Sequence, residues 1–363
     1  MPEATEYPRT IGKDGKLKVT RKNDWTEGFY PGCLWYVYEY TNKEDWKKAA
    51  IKWTESLEPL KKMANHHDIG FLMYCSFGNA YRLTGNEAYK DVLVESARSL
   101  CTRFNEKTGC IKSWNYRKSW NGKDEWFYPV IIDNMMNLEL LYFATKVTGD
   151  SVYAKVANRH AETTAKNQFR EDYSNYHVVN YDAETGEVLN QATCQGFSDN
   201  SAWARGQAWA IYGYTMAYRE THRQDFLDMA VHTADFWLNH PNLPEDGIPY
   251  WDFNAGQEDY VPDWNYDPEI FKVVPRDASA AAIVASAFLE LSGYVTDGKK
   301  YSAAAAHILK SLSSPAYLAE PGTNCNFILM HSVGSIPHGE EIDVPLIYAD
   351  YYYLEALMRY KNM

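Results

Sequence analysis

The chain has 363 residues, 45% of them hydrophobic and 23% charged, which is ample for a large core and unlike a disordered chain. Its 36 Lys and Arg against 48 Asp and Glu give a formal net charge of −12, which argues against a basic face for nucleic acid. The six cysteines form no CxxC pair, so no zinc or redox motif is present, and the apolar runs are too short to span a membrane.

The opening Met1-Pro2-Glu3-Ala4-Thr5 lacks a basic region followed by an apolar stretch, so no signal peptide is visible. Localisation is open: periplasmic if a signal has been removed, cytoplasmic otherwise. Residues 1–25 read as an N-terminal extension of a single domain covering residues 1–363.

The first predicted hairpin joins Gly32–Tyr40 to Glu44–Leu57. Thereafter helices that are apolar on nearly every side alternate with one-sided ones. Ile69–Ala80, Met135–Ala144, Ala202–Tyr218, Ala278–Leu291 and Leu346–Met358 are of the first kind and are predicted to be buried. Tyr89, Val92, Leu93, Ala97 and Leu100 recur at three- and four-residue steps, as do Phe226, Met229, Ala230 and Phe236-Trp237, so their helices are amphipathic. Short turns with Thr link the pairs: Leu83-Thr84-Gly85-Asn86, Val147-Thr148-Gly149-Asp150, and looser versions at Thr221 and Thr296. These threonines lie 64, 73 and 75 residues apart. Such a period predicts helical hairpins stacked as an array or closed into a ring, with buried helices inside amphipathic ones. Five full hairpins and a sixth inner helix are countable. The sixth outer helix is not, and the N-terminal segment is a candidate for its place.

Connections from each outer helix to the next inner one are long, well above the roughly 2–8 residues usual between packed helices. They fall on one rim, where the inner helices begin, and loops of that kind carry function. Trp114, Trp120, Trp126, Tyr128, His177, Tyr181, Trp251 and Trp264 lie in them. With 12 Trp, 29 Tyr and 14 Phe in the chain, these rings are either core packing or sugar-stacking surfaces. The same rim gathers helix N-termini, which favour an anion.

Asp68 and Asp133 each open a buried helix at this rim. Helix capping is the ordinary explanation for such an aspartate. Two at equivalent positions point instead to acid–base chemistry, in which one carboxyl keeps the other protonated. Asp277 and Asp350 hold similar positions, so topology alone does not choose the pair. Arg205 stands between Trp203 and Trp209 in an otherwise apolar helix, where a cation is costly without a partner. A substrate carboxylate is one such partner. His66-His67-Asp68 has no companion motif such as HExxH, so no metal is expected. Gly12-Lys13-Asp14-Gly15-Lys16 is no P-loop and no dinucleotide fingerprint occurs, so no cofactor is expected either.

His67-Asp68-Ile69-Gly70-Phe71, Ile132-Asp133-Asn134-Met135-Met136-Asn137-Leu138 and Trp203-Ala204-Arg205-Gly206-Gln207-Ala208-Trp209 resemble the unsaturated glucuronyl hydrolases of glycoside hydrolase family 88. Arg276-Asp277-Ala278-Ser279-Ala280-Ala281 and Ala349-Asp350-Tyr351-Tyr352-Tyr353-Leu354-Glu355-Ala356-Leu357 extend the resemblance from about residue 30 to the end. It implies an all-α fold, the six-hairpin (α/α)6 barrel. It also implies removal of a 4,5-unsaturated uronic acid from the non-reducing end of lyase-generated, glycosaminoglycan-type oligosaccharides by hydration of the C4=C5 enol ether. On that resemblance Asp133 protonates C4 and activates the water, and Asp68 assists. His177, Gln195, Trp203, Arg205 and Trp209 would line the sugar subsite, with Trp114 a stacking platform. The oligosaccharide is the only partner implied. One departure concerns sulfate: Ser332-Val333-Gly334-Ser335-Ile336-Pro337 keeps both serines of a Ser-x-x-Ser-x-Lys stretch and loses the lysine. The alternatives are an unsaturated rhamnogalacturonyl hydrolase acting on pectin fragments, a sugar epimerase on the same barrel, and a non-catalytic sugar-binding protein.

Overall fold

A computed structural model describes residues 6–21, 23–119 and 122–363. Trp120 and the opening five residues, on which the signal-peptide reading rests, lie outside the described residues. Helix α1 (Phe29–Thr41) pairs with α2 (Glu44–Glu55). Helix α3 (Ile69–Met73), a π-helical turn over Tyr74–Gly78, and α4 (Asn79–Thr84) run on as one inner element against α5 (Glu87–Cys101). Helix α6 (Leu138–Thr148) pairs with α7 (Val152–Asn167), α8 (Ala204–Thr221) with α9 (Gln224–Asn239), and α10 (Ala278–Leu291) with α11 (Gly298–Leu312). Helix α12 (Ile347–Lys361) is the sixth inner helix.

The inner helices meet in a closed circuit. The π turn packs on α1, and α3 packs on the 3-10 stretch Ile132–Asn137 that leads into α6. That stretch packs on α8, α8 on α10, α10 on α12, and α12 back on α1. The chain is thus an α/α barrel, as its alternation of buried and amphipathic helices demands. Residues of α10 are buried all round, whereas α5 buries one face and exposes the other, which is the inner–outer division expected of the two patterns. Close approach is secured at small residues. At Gly213 of α8 an added Cβ would stand 2.5 Å from the Met135 side chain, nearer than packed atoms tolerate. Among the described residues, no helix is long and apolar enough to cross a membrane.

The hairpin turns share one piece of chemistry. Thr84, Thr148 and Thr221 each donate a hydroxyl hydrogen bond to the carbonyl four residues back and accept the N–H two residues on. The residue between, Gly85, Gly149 or His222, is left-handed, the usual way for a helix to stop. Thr41 does the same with Asn42, a turn the threonine spacing did not pick out. Thr296 does not belong to the set. Helix α10 ends at Leu291, with the Ser292 hydroxyl on the Leu289 carbonyl, so Thr296 falls in the approach to α11.

The long connections hold short antiparallel sheets that the sequence reading did not anticipate. Val178–Tyr181 is the middle strand between Pro129–Ile131 and Val188–Ala192, and Ser332–Ser335 pairs with Glu340–Val344. The N-terminal hairpin Tyr7–Ile11 with Leu17–Thr20 docks where α12 begins: Thr10 bridges to Leu346 and donates its hydroxyl to the Pro345 carbonyl at 2.6 Å. It covers the start of α12, while the outer helices among the described residues remain five.

Candidate active site

The Asp68 side chain makes no capping bond, although the residue occupies the N-cap position of α3. Asp133 lies in the first turn of the 3-10 stretch, and the turn's opening N–H, from Ile132, is taken by the His177 carbonyl at 3.1 Å. This extends the sheet pairing of Ile131 with Val178 and delays the α-helix to Leu138. The two carboxyls face one cavity of about 220 Å³, shared with Trp114, Gln195, Arg205 and Tyr348. A larger cavity, about 580 Å³, lies at the opposite ends of the inner helices, where Arg82 pairs with Glu39 and Arg359 with Glu355. Neither aspartate reaches it.

The two carboxyls are held in opposite states. Burial pushes the Asp133 pKa up to about 7, opposed by Arg205 and the nearby Trp209 indole and reinforced by Asp68. Burial would also raise Asp68, but His67 and His66 beside it, with Arg103 further out, hold it below the usual range. His66 Nδ1 is 3.1 Å and His67 Nε2 is 3.3 Å from the Asp68 oxygens. One carboxyl is therefore an anion at neutral pH while its neighbour still holds a proton in a large share of molecules, the division of labour that acid–base catalysis needs. His177 is buried, and burial with nearby Arg205 lowers its pKa well below the ordinary value. Its Nδ1 accepts from the N–H groups of Cys194 and Gln195 at 3.0 and 3.1 Å. The neutral ring thus carries its proton on Nε2, 3.6 Å from Asp133 Oδ2.

Asp277 and Asp350 are set apart by their partners. Asp277 caps α10 through the Ser279 N–H and pairs with Arg205 at 3.0 Å. Asp350 accepts the N–H groups of Ile328 and Leu329, both at 2.9 Å. These two aspartates fasten the rim loops to the inner helices.

Of the other residues singled out by sequence, Trp114 and Gln195 line the cavity. Trp203 stands behind it, its ring 4.5 Å from both the His177 ring and the Arg205 guanidinium. Trp209 lies deeper, against Phe71 and Tyr352. Arg205 borders the cavity, but its guanidinium is already engaged by Asp277, the Val333 carbonyl and, at 2.6 Å, the Gly334 carbonyl. Sequence reasoning missed Arg9, Trp25, Arg117 and Tyr348, all of which line the cavity. Tyr348 directly precedes the Ala349-Asp350 motif and was within reach. Arg9 and Trp25 arrive from the N-terminal segment, with no sequence signal tying them to the rim. Arg9 is fixed there by Glu341 at 2.5 Å and by Asp24.

The profile of Glycosyl Hydrolase Family 88 matches residues 4–235. The chain is 49% identical to an unsaturated glucuronyl hydrolase of Formosa agariphila over 99% of its own length and 86% of that protein. It is 35% identical to an unsaturated chondroitin disaccharide hydrolase of Streptococcus agalactiae, over 98% of this chain and 86% of that one. The chain belongs to glycosyl hydrolase family 88. A solved unsaturated glucuronyl hydrolase specific for heparin superposes with a TM-score of 0.91 at 47% identity, covering all of this chain and 92% of that one. In this family 88 chain the serine stretch that lacks a lysine is partly used internally: Ser335 Oγ and His338 Nδ1 are 2.6 Å apart, and Arg117 reaches the other nitrogen of that ring at 2.5 Å. Among the described residues, no group of three or more His, Cys, Asp or Glu side chains is arranged to hold a metal ion.

Proposed function

We propose that the chain removes a 4,5-unsaturated uronic acid from the non-reducing end of glycosaminoglycan-type oligosaccharides by hydrating the C4=C5 enol ether. The observation that carries this is two buried carboxyls facing one open cavity, Asp133 raised to about 7 by burial and Asp68 held low by His67 and His66. Asp133 gives its proton to C4 as the C4=C5 π electrons form the new C–H bond, leaving positive charge shared by C5 and the ring oxygen. Asp68, an anion nearby, favours that charge. Water adds to C5 and its proton returns to the Asp133 carboxylate. The C5 hemiketal then collapses to a ketone, the ring opens, and C1 is left as a hemiacetal that releases the sugar alcohol. Trp114 and Gln195 would hold the sugar, while His177, Trp203, Arg205 and Trp209 frame the two carboxyls. An epimerase would ask His177 to accept a proton, yet its Nε2 already carries one and Nδ1 is taken by two backbone donors.

Two results are expected. Incubation with unsaturated disaccharides from chondroitin, heparin, hyaluronan and pectin should bleach the ultraviolet absorbance of the enol ether, with the glycosaminoglycan products preferred. The corresponding saturated disaccharide should survive, because it offers no C4=C5 double bond to protonate; equal cleavage of both would rule out hydration. Preference for the pectin product would move the substrate to rhamnogalacturonan fragments.

The pH profile should follow the two carboxyls. Since the free-enzyme pKa values govern kcat/KM, activity should decline as pH rises through about 7, where Asp133 loses its proton. On the acid side it should persist to below the ordinary carboxylate range, where Asp68 is at last protonated. A kcat/KM that stays flat well into alkaline pH would contradict Asp133 as the acid.

A further inference from the structure

Asn137, four residues after Asp133 and fully buried, faces α3 across a contact that only glycine permits. A Cβ added to Gly70 would lie 2.5 Å from Asn137 Oδ1. That oxygen accepts the Phe71 backbone N–H at 3.0 Å. A backbone N–H can only donate, so the orientation of the carboxamide is decided. Its Nδ2 must face the other way, where His67 Nδ1 stands at 3.5 Å. An amide NH₂ can also only donate, so His67 Nδ1 must accept. The His67 ring is fully buried and its burial lowers its pKa to about 4, which keeps it neutral. Its single proton therefore sits on Nε2, 3.3 Å from Asp68 Oδ1. Asn134 is fixed in the same manner: its Nδ2 donates to the Ile111 carbonyl at 2.7 Å, which leaves its oxygen available to the His67 ring. His67 thus repeats, toward Asp68, the arrangement that His177 makes toward Asp133. In both, Nδ1 is occupied by a donor and Nε2–H is turned to a carboxyl.

We propose that Asn137 is a positioning residue, which fixes His67 as the tautomer bearing its proton on Nε2 and through it holds the Asp68 carboxylate in place as an anion beside Asp133. The proposal rests on the hydration reading for its kinetic consequence, but not for the tautomer itself. The other titratable or charged groups around Asp68 are His66 and Arg103; those around Asp133 are Arg205, Asp68 and His177, whose ring is neutral. None of them contacts Nδ1 of His67, so their contribution should be unchanged by substitution at Asn137.

Two variants separate this role from a merely structural one. In Asn137→Asp, studied at a pH where the new carboxyl is ionised, one oxygen can still accept from Phe71, while the other, then an acceptor only, faces His67 Nδ1. In Asn137→Leu the donor is gone altogether. The His67 tautomer is read by nitrogen NMR of histidine-labelled protein without substrate, the signal being assigned by its absence in His67→Gln. Wild type should show Nδ1 bare and Nε2 protonated, and N137D should show Nδ1 protonated. N137L should lower kcat about 10-fold with KM changed less than about threefold, and should move the acid limb of the kcat profile up by roughly one pH unit, as Asp68 loses a charge-assisted donor. A wild-type His67 protonated on Nδ1, or an N137D ring still bare there, would overturn the assignment. So would an acid limb that stays in place in N137L. Should N137L not fold, the two NMR comparisons decide alone. Failure of wild type to turn over any unsaturated disaccharide would count against the activity and leave the tautomer result standing.

Discussion

Asp133→Asn is expected to abolish turnover and, above neutral pH, to make the protein more stable. The first half follows from the loss of a general acid, which costs roughly 10²–10⁴ in rate. The second follows from linkage. Asp133 in the folded chain has its pKa raised from 3.8 to about 7, so between those values the folded state binds a proton the unfolded chain has released. Stability contributed by this site therefore falls as pH rises from the unfolded value through the folded one, and the whole penalty is present above about 7. Asparagine carries no charge to desolvate, so the variant should gain on the order of a few kcal/mol at pH 8 and nothing below pH 4. Thermal unfolding of both proteins across this range is the check. A variant that is less stable at pH 8, or that keeps near-normal kcat, would mean that Asp133 is an ordinary ionised cap.

Arg205→Ala is expected to act first on stability. The arginine and Asp277 form a fully buried pair, and the same guanidinium ties the strand Ser332–Ser335 to α8 through the Val333 and Gly334 carbonyls. Removing one partner strands the other charge, at a cost of about 3–5 kcal/mol. Arg205→Lys should recover little, because an ammonium cannot span Asp277 and both carbonyls as the planar fork does, nor stack on Trp203. Asp277→Asn combined with R205A should cost less than the sum of the two single changes. Equilibrium denaturation of the three variants measures this. If R205A unfolds like wild type and loses only kcat/KM, and a methyl ester of the substrate carboxylate suffers the same loss, then the arginine serves the substrate instead.

The helices were legible because their periods are long and their burial one-sided or complete. Ala278–Leu291 reads directly as an inner helix, since every neighbour on the ring is another apolar face. The inner helix at Ile69 was read as regular, yet it passes through a π turn at Tyr74–Gly78, for which a hydrophobic pattern has no symbol. The rim strands were invisible for a related reason. Two to five residues are too few to establish alternation, and Pro129–Ile131 finds its partner, Val178–Tyr181, only far along the chain. Asp68 and Asp133 stood out because a carboxylate at the head of an apolar helix is costly. What their neighbours do was not legible. Trp203 and Trp209 looked like a stacking pair around Arg205, but which face of α8 each takes depends on Phe71, Tyr352 and His177 from other elements. Asn137 was read only as part of a motif. Its carboxamide gains meaning from the Phe71 N–H, which lies 66 residues away in sequence.

The central claim is that Asp133 protonates C4 of an enol ether, and running the reaction in deuterium oxide tests it most directly. With wild-type enzyme and an unsaturated glycosaminoglycan disaccharide, the released uronic acid product should carry deuterium at one of its two C4 positions, stereospecifically, from the first turnovers onward. Deuterium already scattered over both positions in product taken at the first turnovers, before the hydrogens beside the new C5 ketone exchange with solvent, would show that the glycosidic bond is broken at C1 first and that C4 is protonated later, away from Asp133.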